Sequence, residues 1–218
     1  MIAYSDLCRQ GADLGLEVLG VFVAAPRDNL PEGSRYGVLL GPYEPDFWIH
    51  FKKSDEYCDG QPNPLDRWSQ RVITNWAQGL DGTAAFPFGG PPYKPFMGWA
   101  GRSGRAWRSP VGLLVHESQG LFLSYRGALT VPHDISGLPD PAIKPCNSCL
   151  DKPCLTACPV DAMAQGYNVP KCEAYLATDA GQSTCMTDGC SVRRLCPVSM
   201  GYDRKSEQSA FHMKAFFQ

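Results

Sequence analysis

Cysteine is crowded into one stretch of this chain, and that crowding limits the possible folds more than any other property. Eight of the ten cysteines lie from Cys146 to Cys196. They form a run that ends in Cys158-Pro159, a lone Cys172, and a second run that ends in Cys196-Pro197. Two cuboidal iron–sulfur clusters need eight thiolates, and a Cys-Pro pair closes a ferredoxin-type run. The pattern therefore predicts a module that binds two [4Fe–4S] clusters.

The spacing of the cysteines departs from the usual bacterial run, in which two, two and three residues separate them. Here two, four and three residues separate the cysteines of the first run, and four and five separate those of the second. The last cysteine of such a run binds the other cluster, so we expect each cluster to draw on both runs. One cluster is then held by Cys146, Cys149, Cys154 and Cys196. The other is held by Cys158, Cys172, Cys185 and Cys190.

Two other uses of the cysteines remain open. Zinc also binds four thiolates in a tetrahedron, although structural zinc motifs rarely carry two Cys-Pro endings. Disulfides suit small secreted domains, but residues 1–6 lack the basic region and apolar stretch of a signal peptide. We therefore expect a cytoplasmic protein whose cysteines are reduced or bound to metal.

Composition excludes some partners and divides the chain. The formal net charge is −2, which indicates neither a nucleic-acid partner nor an anionic membrane surface. No apolar run approaches the roughly 20 residues that a membrane span needs. All five tryptophans precede the cysteine stretch, so we expect the conventional hydrophobic core there and a metal-held segment after it. These observations predict two domains, residues 1–138 and 139–218.

Hydrophobic patterns predict an α+β fold for the first domain. Apolar runs over residues 16–25 and 36–40 are typical of buried strands. Asn63-Pro64 is typical of a helix start. The positions that follow at helical spacing, and that we expect to be buried, are Leu65, Trp68, Val72, Ile73 and Trp76.

Two segments before the cysteines have unusual composition. Residues 86–108 combine proline and glycine with many aromatic and basic side chains. Such a loop suits a pocket for a large flat ligand with polar side arms; the alternative is an irregular packed loop. Residues 111–115 and 121–125 are strand-like, and the intervening 116–120 predict a hairpin turn.

The same region carries a resemblance to a known family. His116, Gly120 and Phe122 precede Arg126-Gly127 and a closing Pro132. This order is similar to that of the cobalamin-processing family that removes upper-axial ligands from incoming vitamin. The resemblance implies a nitroreductase-like α+β domain that binds a corrinoid.

The cysteine stretch separately resembles the ferredoxin modules of epoxyqueuosine reductase and the reductive dehalogenases. Those modules also have a run ending in Cys-Pro, a lone cysteine followed by an aromatic residue and leucine, and a second such run. Here the middle element is Cys172-Glu-Ala-Tyr175-Leu176. No segment matches the catalytic acid motif of epoxyqueuosine reductase, which argues against the same substrate.

Together the resemblances imply an iron–sulfur oxidoreductase that binds cobalamin or another corrinoid and reduces or processes it by electron transfer to cobalt. The corrinoid is then cofactor, cargo or substrate, and an external donor such as flavodoxin, ferredoxin or a flavin reductase supplies electrons. The alternatives are a ferredoxin-type carrier without corrinoid and a cobalamin-dependent reductase of a separate organic substrate. The expected pocket residues are Phe86, Phe88, Tyr93, Trp99, Arg102, His116, Phe122, Tyr125 and Arg126.

Overall fold

A computed structural model describes residues 1–217 of the chain. They form two compact units. The first unit is Met1–Arg105 with Ser124–Ala142, and the second unit is Ala106–Leu123 with the residues from Ile143 onwards. Both helices and strands contribute, so the protein has a mixed α+β fold, as the sequence predicts at this coarse level.

Residues 1–217 contain eight strands and eleven α-helices. The strands are β1 (Ile2–Ala3), β2 (Leu16–Val23), β3 (Tyr36–Pro42), β4 (Thr83–Ala85), β5 (Ala106–Arg108), β6 (Leu114–His116), β7 (Gly127–Val131) and β8 (Ile135–Ser136). The helices are α1 (Tyr4–Asp13), α2 (Phe47–Phe51), α3 (Asp55–Cys58), α4 (Pro64–Gln78), α5 (Phe96–Arg102), α6 (Val169–Leu176), α7 (Asp179–Ser183), α8 (Cys185–Asp188), α9 (Ser191–Arg194), α10 (Pro197–Gly201) and α11 (Ser206–Phe216). Short 3₁₀ turns cover Pro26–Asp28, Pro145–Asn147 and Pro153–Leu155.

The first unit is built on an antiparallel sheet in the order β2-β3-β7-β4. Strand β7 lies between two neighbours, and all five of its residues are buried. A strand covered on both faces needs a continuous apolar run rather than an alternating one. The strands expected over residues 16–25 and 36–40 are confirmed as β2 and β3.

Helix α4 packs on β7 and confirms the predicted helix after Asn63. All five residues of the predicted apolar stripe are buried. Trp68 meets the rings of Phe47 and Phe51 edge-on, at centroid distances of 5.4 and 6.0 Å. This arrangement is favourable for aromatic side chains, and it anchors α2 to α4.

The turn that we predict over residues 116–120 is confirmed, because His116 and Gly120 exchange two backbone hydrogen bonds of 3.0 Å. The predicted pairing of residues 111–115 with 121–125 is wrong, since residues 121–125 form no strand. Strand β6 pairs with β5, which precedes it, so that Trp107 lies opposite Val115. A tight turn makes this possible: the Ser109 amide donates to the Leu113 carbonyl oxygen at 2.8 Å, and Gly112 has a φ of +84°. Glycine adopts that left-handed conformation without the cost that a Cβ brings. The strand after this region begins only at β7.

Residues 106–123 belong to the second unit, whereas the predicted boundary assigned everything up to residue 138 to one domain. The physical reason is an apolar cluster in which Val111, Val115 and Leu121 pack with Cys154 and Cys196. The segment that contains strands β5 and β6 therefore supplies core residues to the cysteine-rich segment, which has few apolar core residues of its own. Among residues 1–217, no helix is long and apolar enough to cross a membrane.

Candidate metal centres

Four cysteines of the second unit share one cavity of about 490 Å³. Prolines position three of them: two follow a proline in a 3₁₀ turn, and one directly precedes Pro197 at the start of α10. Proline fixes φ at the first helical position, which sets where the neighbouring thiol lies. We call these residues the first thiol set: Cys146, Cys149, Cys154 and Cys196.

The thiols of the first set influence one another. Burial raises the pKa of the Cys154 thiol, and the charges of Cys196, Cys146 and Cys149 raise it further. Burial also raises the pKa of Cys146, while nearby Lys144 opposes the rise. Metal binding requires thiolates, and the positive charge of a bound metal stabilises them. The four thiols thus line one cavity and influence one another electrostatically.

The other four cysteines line a second, smaller cavity of about 20 Å³, together with Tyr175, Leu176 and Met213. They come from four separate places in the second unit: the end of the first cysteine run, helix α6, the first turn of α8, and the residue before α9. We call these residues the second thiol set: Cys158, Cys172, Cys185 and Cys190.

Hydrogen bonds surround the sulfurs of the second set. The Ala162 amide donates to Cys158 Sγ at 3.2 Å, and Ser191 Oγ lies 3.6 Å from Cys185 Sγ. Burial raises the pKa of the Cys172 thiol, and a hydrogen bond from the Tyr167 hydroxyl opposes this rise. Burial likewise raises the pKa of the Cys190 thiol, and hydrogen bonds from the backbone of the residues that follow it oppose this rise.

The two sets have the grouping that crossed ligation between the two cysteine runs requires. In the described residues 1–217 no group of three or more His, Cys, Asp or Glu side chains is arranged to hold a metal ion. Zinc takes four thiolates around one ion, whereas a four-iron cluster takes one thiolate at each iron. Four thiols line each of the two cavities, a number that agrees with either use. That either set binds a cluster stays a prediction.

Two residues expected in a ligand pocket instead bind a buried carboxylate. The carboxylate of Asp28, 1% exposed, accepts hydrogen bonds from Trp99 Nε1 at 2.9 Å and from an Arg102 guanidinium nitrogen at 2.6 Å. The Trp99 ring stacks on Phe22 at a centroid distance of 4.9 Å and is fully buried. These contacts stabilise the first unit and engage the Trp99 indole nitrogen and one terminal nitrogen of the Arg102 guanidinium.

The guanidinium of Arg126 is also committed to internal contacts. It donates to Ser69 Oγ at 3.1 Å and forms an ion pair with Asp66. Burial lowers the pKa of Arg126, and the charge of Asp66 opposes that shift. The guanidinium lies 5.8 Å from the ring centre of Phe88, which stacks with Phe86 at 5.1 Å. Phe86, Phe88 and Arg126 are thus brought together in the first unit.

Two tyrosines complete the expected pocket residues of the first unit. Tyr93 is exposed, whereas the Tyr125 hydroxyl is buried without a hydrogen-bond partner. Burial raises the pKa of Tyr125 above its ordinary value, so the hydroxyl stays protonated. The Tyr125 ring lies 6.1 Å from Phe96. An unpaired buried hydroxyl is unfavourable, which makes Tyr125 the candidate whose polar atom still lacks a partner.

The remaining two expected pocket residues belong to the second unit. His116 is buried, and its Nδ1 accepts a hydrogen bond from the Ser118 amide at 3.2 Å. The Arg204 guanidinium lies 5.1 Å from the Phe122 ring centre and donates to the Phe122 carbonyl oxygen. Both side chains therefore have local structural partners within their own unit.

The chain has no match among protein-family models, curated proteins or solved structures in the three comparisons made. Sequence reasoning missed Asp28, Tyr167 and Ser191, all of which contact candidate site residues. Ser191 directly follows Cys190, but nothing in that adjacency indicates that its hydroxyl lies beside Cys185.

Proposed function

We propose that this chain is an iron–sulfur oxidoreductase that holds one [4Fe–4S] cluster at each thiol set and passes single electrons to the cobalt of a corrinoid. The observation that carries the proposal is the sorting of eight cysteines into two groups of four, each around one cavity. Bound clusters supply low-potential single electrons. All ten cysteines are free thiols in the structure.

The residues around the thiol sets have roles that suit electron transfer. Val115 and Leu121 form an apolar wall beside the first set, and Leu176 and Met213 do so beside the second. Apolar walls exclude water and lower the local dielectric, which tunes the reduction potential. Near the second set, the Ala162 amide donates to Cys158 Sγ, and Ser191 Oγ lies within hydrogen-bond distance of Cys185 Sγ.

The proposal extends to the fold of each unit. We propose a nitroreductase-like domain for the first unit and a ferredoxin-like domain for the second. Support for the former is the antiparallel four-stranded sheet with α4 packed on it, together with the sequence resemblance around Arg126-Gly127. Support for the latter is the crossed grouping of the cysteines.

In the proposed reaction, one electron from an external flavodoxin, ferredoxin or flavin reductase converts Co(III) to Co(II). The upper-axial ligand, such as cyanide or water, leaves with the electron pair of its bond to cobalt. The aromatic pair Phe86 and Phe88 and the exposed Tyr93 are the residues that we propose to contact the corrinoid. Their support is the resemblance to the cobalamin-processing family and their aromatic faces, which suit a large flat ligand.

A ferredoxin-type electron carrier without corrinoid is the second candidate. It is favoured by the internal contacts of Trp99, Arg102 and Arg126, since polar atoms bonded to Asp28 and Asp66 are not available to a ligand. The two candidates make the same prediction for iron and opposite predictions for corrinoid binding.

Anaerobic reconstitution followed by titration with hydroxocobalamin separates them. We expect about eight irons and eight sulfides per chain, a shift of the cobalt absorption bands on binding, and formation of Co(II) when a chemical reductant is added. Tyr93→Ala should weaken the shift, whereas Tyr43→Ala, a matched change at another exposed tyrosine, should not. Full iron with an unchanged corrinoid spectrum would leave the electron carrier, and zinc in place of iron would contradict both.

A further inference from the structure

We propose that a polar cavity at the start of helix α11 binds inorganic phosphate and selects it over sulfate. The cavity has a volume of about 180 Å³ and lies within the second unit. None of the eight cysteines of the thiol sets lines it. We call it the α11 cavity, and its ligand is independent of the proposed clusters and corrinoid. The lining side chains that would meet the ligand are Asp188, Arg194, Ser206 and Ser209.

Ser209 is a buried residue of this cavity whose polar atom lacks a partner. Its side chain is 4% exposed, and its hydroxyl has no hydrogen-bond partner among residues 1–217. Gly189 allows the close approach of this residue, because a Cβ at Gly189 would lie 2.6 Å from the Ser209 Cβ. Buried polar groups are nearly always bonded to protein, water or an ion. The Ser209 hydroxyl is therefore available to a ligand in the cavity that it lines.

The first turn of α11 adds backbone donors to the same cavity. The helix has 11 residues, and its N-cap residue, Lys205, makes no side-chain capping hydrogen bond. Ser206 and Ser209, both in the first turn, line the cavity. The first N–H groups of a helix have no partner within the helix, and their partial positive charge favours an anion. Hydroxyl and amide donors thus border one small space.

Arg194 brings a positive charge to the cavity, and among residues 1–217 it forms no ion pair. Its guanidinium donates to the Gly189 carbonyl oxygen at 3.2 Å and to Ser191 Oγ at 3.4 Å, and both acceptors are uncharged. A guanidinium has five N–H donors and no acceptor. Arg194 therefore keeps both its charge and further donors for the oxygens of an anion.

Two carboxylates of the cavity determine which anion fits. Asp203 is 71% exposed and lies 3.3 Å from Lys205 Nζ, so a cation balances its charge. Asp188, at the end of α8, is half-buried, and its carboxylate has no partner among residues 1–217. A carboxylate only accepts hydrogen bonds, so the ligand must donate one to Asp188 while it accepts from Arg194 and Ser209.

Inorganic phosphate meets both requirements, because at neutral pH it carries negative charge and keeps at least one proton. That proton is donated to Asp188, and the other oxygens accept from the donors of the cavity. Sulfate has the same shape but keeps no proton at this pH. It would place a bare oxygen beside the Asp188 carboxylate, and such an unpaired contact between like charges gives selectivity.

Isothermal titration calorimetry of the full-length protein with phosphate and with sulfate tests the proposal. Phosphate should bind about tenfold more tightly than sulfate, the factor expected for one hydrogen bond to a charged group. Arg194→Gln and Ser209→Ala should each weaken phosphate binding about tenfold. Asp188→Asn should weaken phosphate binding, strengthen sulfate binding and abolish the preference, since an amide also donates. Two matched changes at exposed positions of α7, Asp179→Asn and Ser183→Ala, should alter neither affinity.

Hydrogen exchange measured by mass spectrometry keeps the test independent of whether the variants fold. In the unsubstituted protein, phosphate should increase amide protection in residues 206–209 and leave that of α7 unchanged. Absence of phosphate binding, equal affinity for phosphate and sulfate, or protection that does not include residues 206–209 would overturn the inference. Phosphate binding by a protein that takes up no iron would contradict the proposed function alone, and iron uptake without phosphate binding would contradict this inference alone.

Discussion

The two units of the molecule bury their side chains in different ways. The first unit has a sheet covered by a 15-residue helix, and Trp48, Trp68 and Trp99 are almost fully buried in it. In the second unit the α-helices other than α6 and α11 have only four or five residues. Its two apolar clusters contain the cysteines themselves as members.

In the second unit, therefore, the cysteines that we propose as metal ligands are also members of the apolar clusters, whereas the core of the first unit is built without them. Cys154 and Cys196 pack with Val115 and Val192, so a metal bound at the first set is attached to the centre of the local core. Short helices are marginal without tertiary support. We therefore infer that burial stabilises the first unit, whereas the second depends on what its thiols bind.

The largest expected effect comes from removing the metal. Stripping iron from the reconstituted protein with a chelator should abolish amide protection over residues 145–201 and preserve it in β2, β3 and β7, because binding stabilises only the unit that holds the ligands. Hydrogen exchange measured by mass spectrometry gives both regions in one experiment. Equal loss of amide protection in the two units would contradict the inference that metal binding stabilises only the second unit.

The reverse experiment damages the core of the first unit. Trp68→Ala should lower its free energy of unfolding by about 3–5 kcal/mol, as expected for removal of a buried tryptophan. Urea unfolding measures this change, and the exposed Tyr93→Ala should stay within about 0.5 kcal/mol of the unsubstituted protein. Iron content should be unchanged in the folded variant. If the variant lost iron in proportion to its loss of stability, the hydrophobic core of the first unit and iron binding by the second unit would not be independent.

A smaller, pH-dependent effect is expected at Asp28. Burial raises its pKa, but hydrogen bonds from Arg102, the Ala25 amide and Trp99 outweigh this, so the pKa lies below its ordinary value. A carboxyl whose pKa is lower when folded adds stability above its unfolded pKa, about 3.9, and loses it as pH falls through the folded pKa.

Asp28→Asn should therefore cost the first unit about 1–3 kcal/mol at pH 7, and the difference from the unsubstituted protein should narrow by pH 3. Urea titrations at the two pH values measure it. Asp6→Asn, at the exposed pair with Arg9, provides the control and should change little at either pH. A difference that stays constant with pH would mean that Asp28 does not act through its charge.

The sequence predicted those parts of the structure that depend on local or repeated patterns. Helix α4 was predictable because apolar residues such as Leu65, Trp68 and Val72 recur at the spacing of one helix face. The crossed rule for two-cluster ferredoxin runs assigns the cysteines to the same two groups of four that line the two cavities, and their binding of clusters stays a prediction.

Contacts between distant residues could not be predicted in this way. Asp28 lies 71 positions from Trp99 and 74 from Arg102, so no local pattern indicates that these side chains meet. The pairing of β6 with β5 was missed because β5 has only three residues and offers little periodicity. The contact between the Ser191 hydroxyl and Cys185 Sγ depends on side-chain direction, which spacing alone does not determine.

The crossed assignment, in which Cys158 belongs to the second thiol set and Cys196 to the first, is tested most directly by electron paramagnetic resonance (EPR) of single variants. After anaerobic reconstitution and reduction, Cys196→Ala should lose the same cluster signal as Cys149→Ala and keep the signal that Cys185→Ala loses. This result would assign Cys196 to the first set, despite its position at the end of the second run. Loss of the same signal in Cys196→Ala and Cys185→Ala would instead show that each run binds its own cluster, and would contradict the crossed assignment.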